Sequence, residues 1–357
     1  MKETKFKNTE IGMIPEEWEV KKLGTVFDIG NGRDYKHLNT GKIPVYGTGG
    51  LMTYVNEYLY DGETVCIGRK GTINMPQYHN GKIWTVDTLF YTYNFRKTDV
   101  KFLYYLAQII DWNAYNTATG VPSLTSRNVS NILVSLPPLH EQHRIASALT
   151  SIDNLISSLG KLIEKKKNIK QGAMQQLLTG RTRLKGFSEP WVEKKLGELF
   201  EIGNGKDYKN LKSGPIPVFG TGGLMTYVNE YLYDGETICI GRKGTIDKPQ
   251  YHKGKIWTVD TLFYTYRFKD INVKYLYYLS TTINWNEYNT ATGVPSLTSQ
   301  NILKIKVVLP LEEEQQAIAT ILTKMDDEIT ALEAKKVKYE AIKQGMMQQL
   351  LTGKIRC

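Results

Sequence analysis

Apolar and polar positions follow two rhythms in this chain, and each rhythm occurs twice. The first is a short alternation: Thr64-Val65-Cys66-Ile67, Ile83-Trp84-Thr85-Val86 and Leu89-Phe90-Tyr91-Thr92-Tyr93, with Gly47, Gly49, Gly50, Gly62, Gly68, Gly71 and Gly81 around them. Runs rich in β-branched and aromatic residues and broken by glycine read as short strands and turns. Within the same region the stretch 99–111, DVKFLYYLAQIID, has helical spacing. The fold class predicted is therefore α+β.

The second rhythm is a long helical stripe. After Leu136-Pro137-Pro138 glycine becomes scarce, and Ile145, Ile152, Leu155, Leu159 and Leu162 recur near heptad spacing. In the second half Ile318, Met325, Ile329, Leu332 and Ile342 form a comparable stripe. Pro137 and Pro310 stand before the stripes and Gly180 and Gly353 after them, as helix starts and stops require. A helix from 145 to 177 is roughly 50 Å long at ~1.5 Å per residue. It has one apolar seam and no core of its own, so it needs a partner, and the other stripe matches it in length. A coiled coil is predicted. Lys165, Lys166, Lys167 and Lys170 against Glu312, Glu313, Glu314, Asp326, Asp327 and Glu328 suit an antiparallel pair. Exposed pairs contribute only ~0–1 kcal/mol each, so charge supports this weakly.

Shifting the sequence by 173 positions lays it on itself. Residues 47–64 recur unchanged at 220–237, 81–93 at 254–266 and 116–126 at 289–299, and MQQLLTG occurs at 174–180 and 347–353. A period of 173 is far longer than a solenoid repeat of ~20–50 residues, so each copy must fold as a unit. The division predicted is a globular domain over 1–138, a helix over 139–180, a second globular domain over 181–311 and a second helix over 312–357. The expected architecture is two globular domains joined by two long antiparallel helices, a pseudo-twofold tandem repeat.

Composition narrows the class. Hydrophobic residues at 41% and charged residues at 23% exclude wholesale disorder. Mean hydropathy is −0.36 and no run approaches ~18 apolar residues, so no membrane span is expected. The first residues, MKETKFKNTE, contain no apolar signal segment. Cys66, Cys239 and Cys357 make neither a disulfide framework nor a four-ligand zinc site, and a reducing cytoplasm is the expected compartment. Lys+Arg exceed Asp+Glu by 46 to 36, a net +10 that points toward nucleic acid.

No catalytic or metal-binding constellation is found. Val45-Tyr46-Gly47-Thr48-Gly49-Gly50, its copy at 218–223, and Ile29-Gly30-Asn31-Gly32 fall short of a dinucleotide or phosphate fingerprint and are read as tight turns. There is no Asn- or Asp-Pro-Pro-Tyr/Phe of an adenine methyltransferase, no H-E-x-x-H, no paired C-x-x-C and no Gly-x-Ser-x-Gly. Asp87 and Asp260 supply one carboxylate per copy with no evident partner.

The duplicated Gly-Arg-Lys-Gly places Arg69 and Lys70, and Arg242 and Lys243, in turns between strands. Glycine allows close approach, and two adjacent cations can meet phosphates or a guanine edge. Around the first turn the candidates are Arg33, Lys36, Thr48, Tyr54, Tyr78, His79 and Lys82. Around the second they are Lys206, Lys209, Thr221, Tyr227, Tyr251, His252 and Lys255. Cations interleaved with aromatics are typical of nucleic-acid surfaces, though an ordinary strand–turn surface has the same composition.

The joints add a resemblance. Leu136-Pro137-Pro138-Leu139-His140-Glu141-Gln142-His143-Arg144-Ile145-Ala146 resembles the P-L-x-E-Q-x-x-I-A start of the conserved helix in specificity subunits of type I restriction-modification systems. Glu314-Gln315 takes the Glu-Gln place in the second copy, MQQLLTG resembles that family's helix exit, and Ile11-Gly12-Met13-Ile14-Pro15-Glu16-Glu17-Trp18 its usual start. The resemblance covers the whole chain. It implies a non-catalytic subunit that binds a split double-stranded DNA site, one half per globular domain, with the helices as a ruler. It further implies two docked methyltransferase subunits carrying S-adenosylmethionine, and motor-nuclease subunits able to join. Unlike the usual member, this chain has two nearly identical recognition domains, which implies an interrupted palindrome as target. A specificity subunit of a related methyltransferase-nuclease fusion, and a tandem carbohydrate- or protein-binding module, are the alternatives.

Overall fold

The computed structural model describes residues 5–356. Contacts divide the chain into two compact units, and the division does not follow chain order. Unit 1 holds the residues up to Gly160 together with those from Ala334 onward, and unit 2 is Lys161–Glu333.

Unit 1 is built on a six-stranded mixed sheet. Its strands are β1 (Asp28–Asn31), β2 (Thr40–Gly47), β3 (Gly50–Val55), β4 (Tyr60–Gly68), β5 (Gln77–Thr85) and β6 (Leu89–Tyr93). The spatial order is β1-β6-β4-β5-β2-β3, antiparallel except where β2 lies parallel to β5 with Val45 opposite Trp84. Alternation along the strands sorts the side chains onto two faces. On one, Val65, Ile67 and Phe90 pack with Phe102, Leu103 and Leu106 of helix α1 (Val100–Ile109) and with Trp18 and Trp112. The α1 start is capped by Asp99, whose carboxylate accepts from the Phe102 amide at 2.7 Å. The other face carries Cys66, Ile83 and Leu89 beneath the rings of Tyr46, Tyr60 and Tyr91. A two-stranded ladder of Glu19–Lys22 with Leu133–Leu136 leads into the long helix α2 (Leu139–Leu177).

Unit 2 repeats the plan. Strands β7 (Glu201–Asn204), β8 (Ile216–Gly220), β9 (Gly223–Val228), β10 (Tyr233–Gly241), β11 (Gln250–Thr258) and β12 (Leu262–Tyr266) take the order β7-β12-β10-β11-β8-β9. Helix α3 (Val273–Ser280) covers Ile238, Ile240 and Phe263, and the second long helix is α4 (Glu312–Leu350).

The long helices pair antiparallel within each unit. In unit 1, Ile145 and Leu149 share a core with Met347, Leu350 and Leu351, and Asp153 pairs with Lys343 at 2.7 Å. In unit 2, Lys166 pairs with Glu328 at 2.6 Å and Lys170 with Asp326 at 2.5 Å. Numbers rise along one helix as they fall along the other. Among the buried and half-buried positions of α2, Ile145, Leu149, Ile152, Ile156, Leu159, Ile163, Lys166, Lys170, Ala173 and Leu177 recur in steps of four and three. Those of α4 run Ile318, Leu322, Met325, Ile329, Leu332, Lys336, Tyr339, Lys343, Met346 and Leu350. This corrects part of the predicted seam. Ile145, Ile152, Leu159, Ile318, Met325, Ile329 and Leu332 lie in it, whereas Leu155, Leu162 and Ile342 are 37%, 38% and 39% exposed. Each of the three sits one residue before a seam position.

The reason is a polar knot. Tyr105 of α1 donates to Asp153 at 2.8 Å, and Lys343 enters the seam to pair with that carboxylate and lies 5.6 Å from the Tyr105 ring centre. Tyr278, Asp326 and Lys170 repeat it in unit 2. A polar residue at a seam position fixes the register of paired helices.

Candidate nucleic-acid interface

The Arg69–Gly71 turn follows β4 and is held entirely by backbone. The amides of Arg69 and Lys70 donate to the Thr88 carbonyl at 2.8 and 3.2 Å, and the Gly71 amide donates to the Pro122 carbonyl at 2.9 Å. Gly71 has φ +93°, a conformation that glycine adopts without strain. The side chains form no ion pair among the described residues. Arg69 donates to the Asp87 carbonyl at 3.3 Å and lies 5.9 Å from the Phe90 ring centre, which aims the guanidinium without neutralising it. Among the described residues no ion pair includes Arg69 or Lys70, whereas Arg96 is paired with Asp28. Both cations are exposed. Arg242 and Lys243 repeat this arrangement, with the Asp260 carbonyl at 3.4 Å and Phe263 at 5.8 Å.

Several predicted residues converge on this turn. The Arg33 amide donates to the Thr85 carbonyl at 2.8 Å, so Arg33 starts from the same Thr85–Thr88 bend that holds Arg69. Gly32 beside it has no room for a side chain, since a Cβ there would lie 1.9 Å from the Val86 carbonyl oxygen. Thr48 flanks Gly71, and its carbonyl accepts from the Gln77 amide at 3.4 Å. Lys206 and Thr221 hold the same places in unit 2. Lys36 and Lys209 are exposed in the loops covering Trp84 and Trp257, and Tyr54 and Tyr227 are about half exposed on the edge strands β3 and β9.

Others stand apart. Lys82 lies opposite Asp61, at the far end of the β4–β5 hairpin, and caps the Tyr58 ring at 4.9 Å, with Lys255 over Tyr231 likewise. Tyr78 points to the α1 face and donates to Glu63, while Tyr251 donates to Glu236 at 2.8 Å. His79 stacks on Tyr46 at 3.8 Å and His252 on Phe219 at 3.8 Å. Burial lowers both imidazoles to about 4, so each is neutral at pH 7 and adds no positive charge. Burial also pushes the Cys66 thiol up to about 12, which removes its nucleophilic form. Among the described residues no group of three or more His, Cys, Asp or Glu could hold a metal ion, and no helix is long and apolar enough to cross a membrane.

Two features went unread in the sequence. The first is the loop Asn116–Ser123, one of the repeated blocks, which forms a β-bridge to the cationic turn through Lys70 and Ser123. The second is the role of Glu-Gln at the helix start. Gln142 donates to the Pro137 carbonyl at 2.9 Å and accepts from the Asp99 amide at 3.0 Å, joining α2 to the start of α1. Glu141, with a 2% exposed side chain, accepts from Trp18 at 3.1 Å and from Arg356 at 2.7 Å. Glu314 is held in the same way by Trp191 and Arg183 in unit 2. The motif is an anchor rather than a DNA contact. Arg183 and Arg356 each stand three residues after a helix-ending glycine, which is the signal that could have found them.

The family model described as "Type I restriction modification DNA specificity domain" matches residues 15–171 and again 188–342. The chain is 26% identical to the type I restriction enzyme MjaVIII specificity subunit of Methanocaldococcus jannaschii, over 99% of this chain and 97% of that protein. It is 28% identical, over the same shares, to the putative MjaX specificity subunit of that organism. Its fold is similar to the crystal structure of the type I restriction-modification system S subunit from M. genitalium, with TM-score 0.69 and 18% identity over 93% of this chain and 96% of that one.

Proposed function

Because the chain belongs to the type I restriction-modification DNA specificity family, in which two domains recognise DNA sequence, we propose that each unit reads one half of a split double-stranded DNA target. The Arg69–Lys70 turn serves unit 1 and the Arg242–Lys243 turn serves unit 2. The observation that carries this is a rigid turn, present twice, whose two cations have no carboxylate partner. Such groups suit phosphate oxygens and the O6/N7 edge of guanine. The surroundings of the turns are identical in sequence over 66–73 and 239–246, so both half-sites carry the same word, and the target is an interrupted palindrome.

The subunit is non-catalytic in this reading. Two methyltransferase subunits dock on it, bring S-adenosylmethionine and flip one adenine per half-site, and motor-nuclease subunits join that assembly. The lengths of α2 and α4 set the spacer, so removing one heptad from both shortens the preferred spacing. Co-expression with the adjacent methyltransferase, followed by mapping of methylated adenines, tests the reading. Two unrelated half-sites would refute the shared word. Retention on target DNA should fall steeply with salt, because bound phosphates release counterions.

A further inference from the structure

We propose that Val121 in unit 1 and Val294 in unit 2 are specificity-determining residues that read the 5-methyl group of a thymine in each half-site. The proposal rests on the DNA reading above and deepens it.

The loop that carries Val121 is rigid and polar-anchored. The Asn116 carbonyl oxygen of the side chain accepts from the amides of Ala118 at 3.1 Å and Ser123 at 2.8 Å, and its amide donates to the Ala118 carbonyl at 2.9 Å. The Thr117 amide donates to the Ser123 carbonyl at 2.9 Å, which closes the loop. Two further bonds join it to the cationic turn: Gly71 to the Pro122 carbonyl, and Leu124 to the Arg69 carbonyl at 2.8 Å. These bonds close the loop on both sides of Val121 and tie it to the turn. Val121 stands 56% exposed on the wall of an open groove of about 610 Å³ whose other walls are Arg69, Lys70, Asp87, Thr88, Ala118 and Ser123.

An isolated exposed valine needs no explanation by itself. The loop that carries this one is closed by six hydrogen bonds beside two cations without a carboxylate partner, and Val294 is likewise 56% exposed beside Arg242 and Lys243. The loop around Val294 is closed by the same bonds from Asn289, Thr290, Gly244 and Leu297. In the DNA major groove the one apolar feature on a base edge is the thymine methyl, and guanine presents the acceptors that suit a guanidinium. A rigid lip with an apolar side chain and a guanidinium fits a thymine next to a guanine, and it fits bare phosphate poorly.

The test uses the full chain in complex with its methyltransferase and the target found by methylation mapping. Each thymine is replaced in turn by deoxyuridine, which removes only the methyl group. For the unaltered protein, one thymine per half-site should lose about fourfold in affinity, the value of one methyl group taken out of water. The variant with Val121→Ser and Val294→Ser should bind the natural target about as weakly as the unaltered protein binds a target in which both of those thymines are deoxyuridine, and should not respond to either replacement. Thermal midpoints of the variant should match, because both positions are exposed. Equal sensitivity in protein and variant, or sensitivity at no thymine, overturns the valine assignment and leaves the DNA reading intact. Failure of the unaltered complex to prefer its target over unrelated duplex at low salt overturns both.

Discussion

Units 1 and 2 hold their cationic turns with the same backbone bonds but differ at the helix cap and in the core beneath it. In unit 1 Asp99 caps α1 and pairs with His143 at 2.6 Å, while in unit 2 Asn272 caps α3 and donates to Gln316 at 2.6 Å. At the centre of the core, Phe102 in unit 1 is replaced by Tyr275 in unit 2, whose buried hydroxyl has no hydrogen-bond partner. Around the turns Arg33 gives way to Lys206, while Arg69, Lys70, Thr88 and Asn116 through Ser126 have identical counterparts. At the helix cap the framework holds with either pair, Asp99 with His143 or Asn272 with Gln316. At the groove edge Arg69, Lys70 and Val121 are kept although they face solvent and no packing requires them.

The comparison can be broken most severely at the helix anchors. Arg356→Ala leaves Glu141 buried and unpaired, and unit 1 should lose ~3–5 kcal/mol in denaturant unfolding. Arg183→Ala should do the same to unit 2 through Glu314. Glu141→Gln added to Arg356→Ala should recover part of the loss, and an unaltered midpoint in the single variant would show that Glu141 is not held as a charge.

Acid should affect both units alike. With the His79 and His252 imidazoles at about 4 in the folded chain and near ~6.5 unfolded, the unfolded state binds protons first. The stability they contribute is complete above pH ~6.5 and is lost as pH falls toward 4, by at most ~2–3 kcal/mol for each, since the rings are partly solvated. His79→Gln should flatten that limb for unit 1 alone. A limb unchanged by the substitution would assign it to other groups.

Arg69→Ala should weaken the matching half-site by ~1–3 kcal/mol and relax its sequence preference, with the other half-site untouched. Arg242→Ala should give the mirror result in competition binding, and loss spread over both half-sites would argue against one turn per half-site. The smallest change sharpens the comparison instead. Tyr275→Phe restores the unit 1 core residue and should stabilise unit 2 by about 1 kcal/mol, because it removes an unsatisfied buried hydroxyl.

Much of this was legible in the sequence. The shift of 173 exposes the repeat, glycine-bounded alternation gives the strands, and the long stripes give the helices and their pairing. The register of the seam was not legible. Apolar counting prefers Leu155, Leu162 and Ile342, but Lys170 and Lys343 occupy seam positions because Asp326 with Tyr278 and Asp153 with Tyr105 receive them. Those partners are distant in sequence, and no local period reveals them. His79 read as a basic candidate because composition is blind to stacking on Tyr46. The Asn116–Ser123 loop carried no charge to draw attention, and its place beside Arg69 is set by bonds between segments about fifty residues apart.

The division into units has a consequence for how the protein is made. Unit 2 occupies one unbroken stretch, Lys161–Glu333, so all of its contacts become available as soon as that stretch leaves the ribosome. Unit 1 is begun first but closes its core with Met347, Leu350 and Leu351 and its anchor with Arg356, 215 residues beyond Glu141. In the usual vectorial order the earlier domain is complete first; here the completion of unit 1 waits for the segment that follows unit 2. Until the later segment arrives, the Ile145–Leu149 flank lacks its apolar cover and the Glu141 carboxylate lacks its cation.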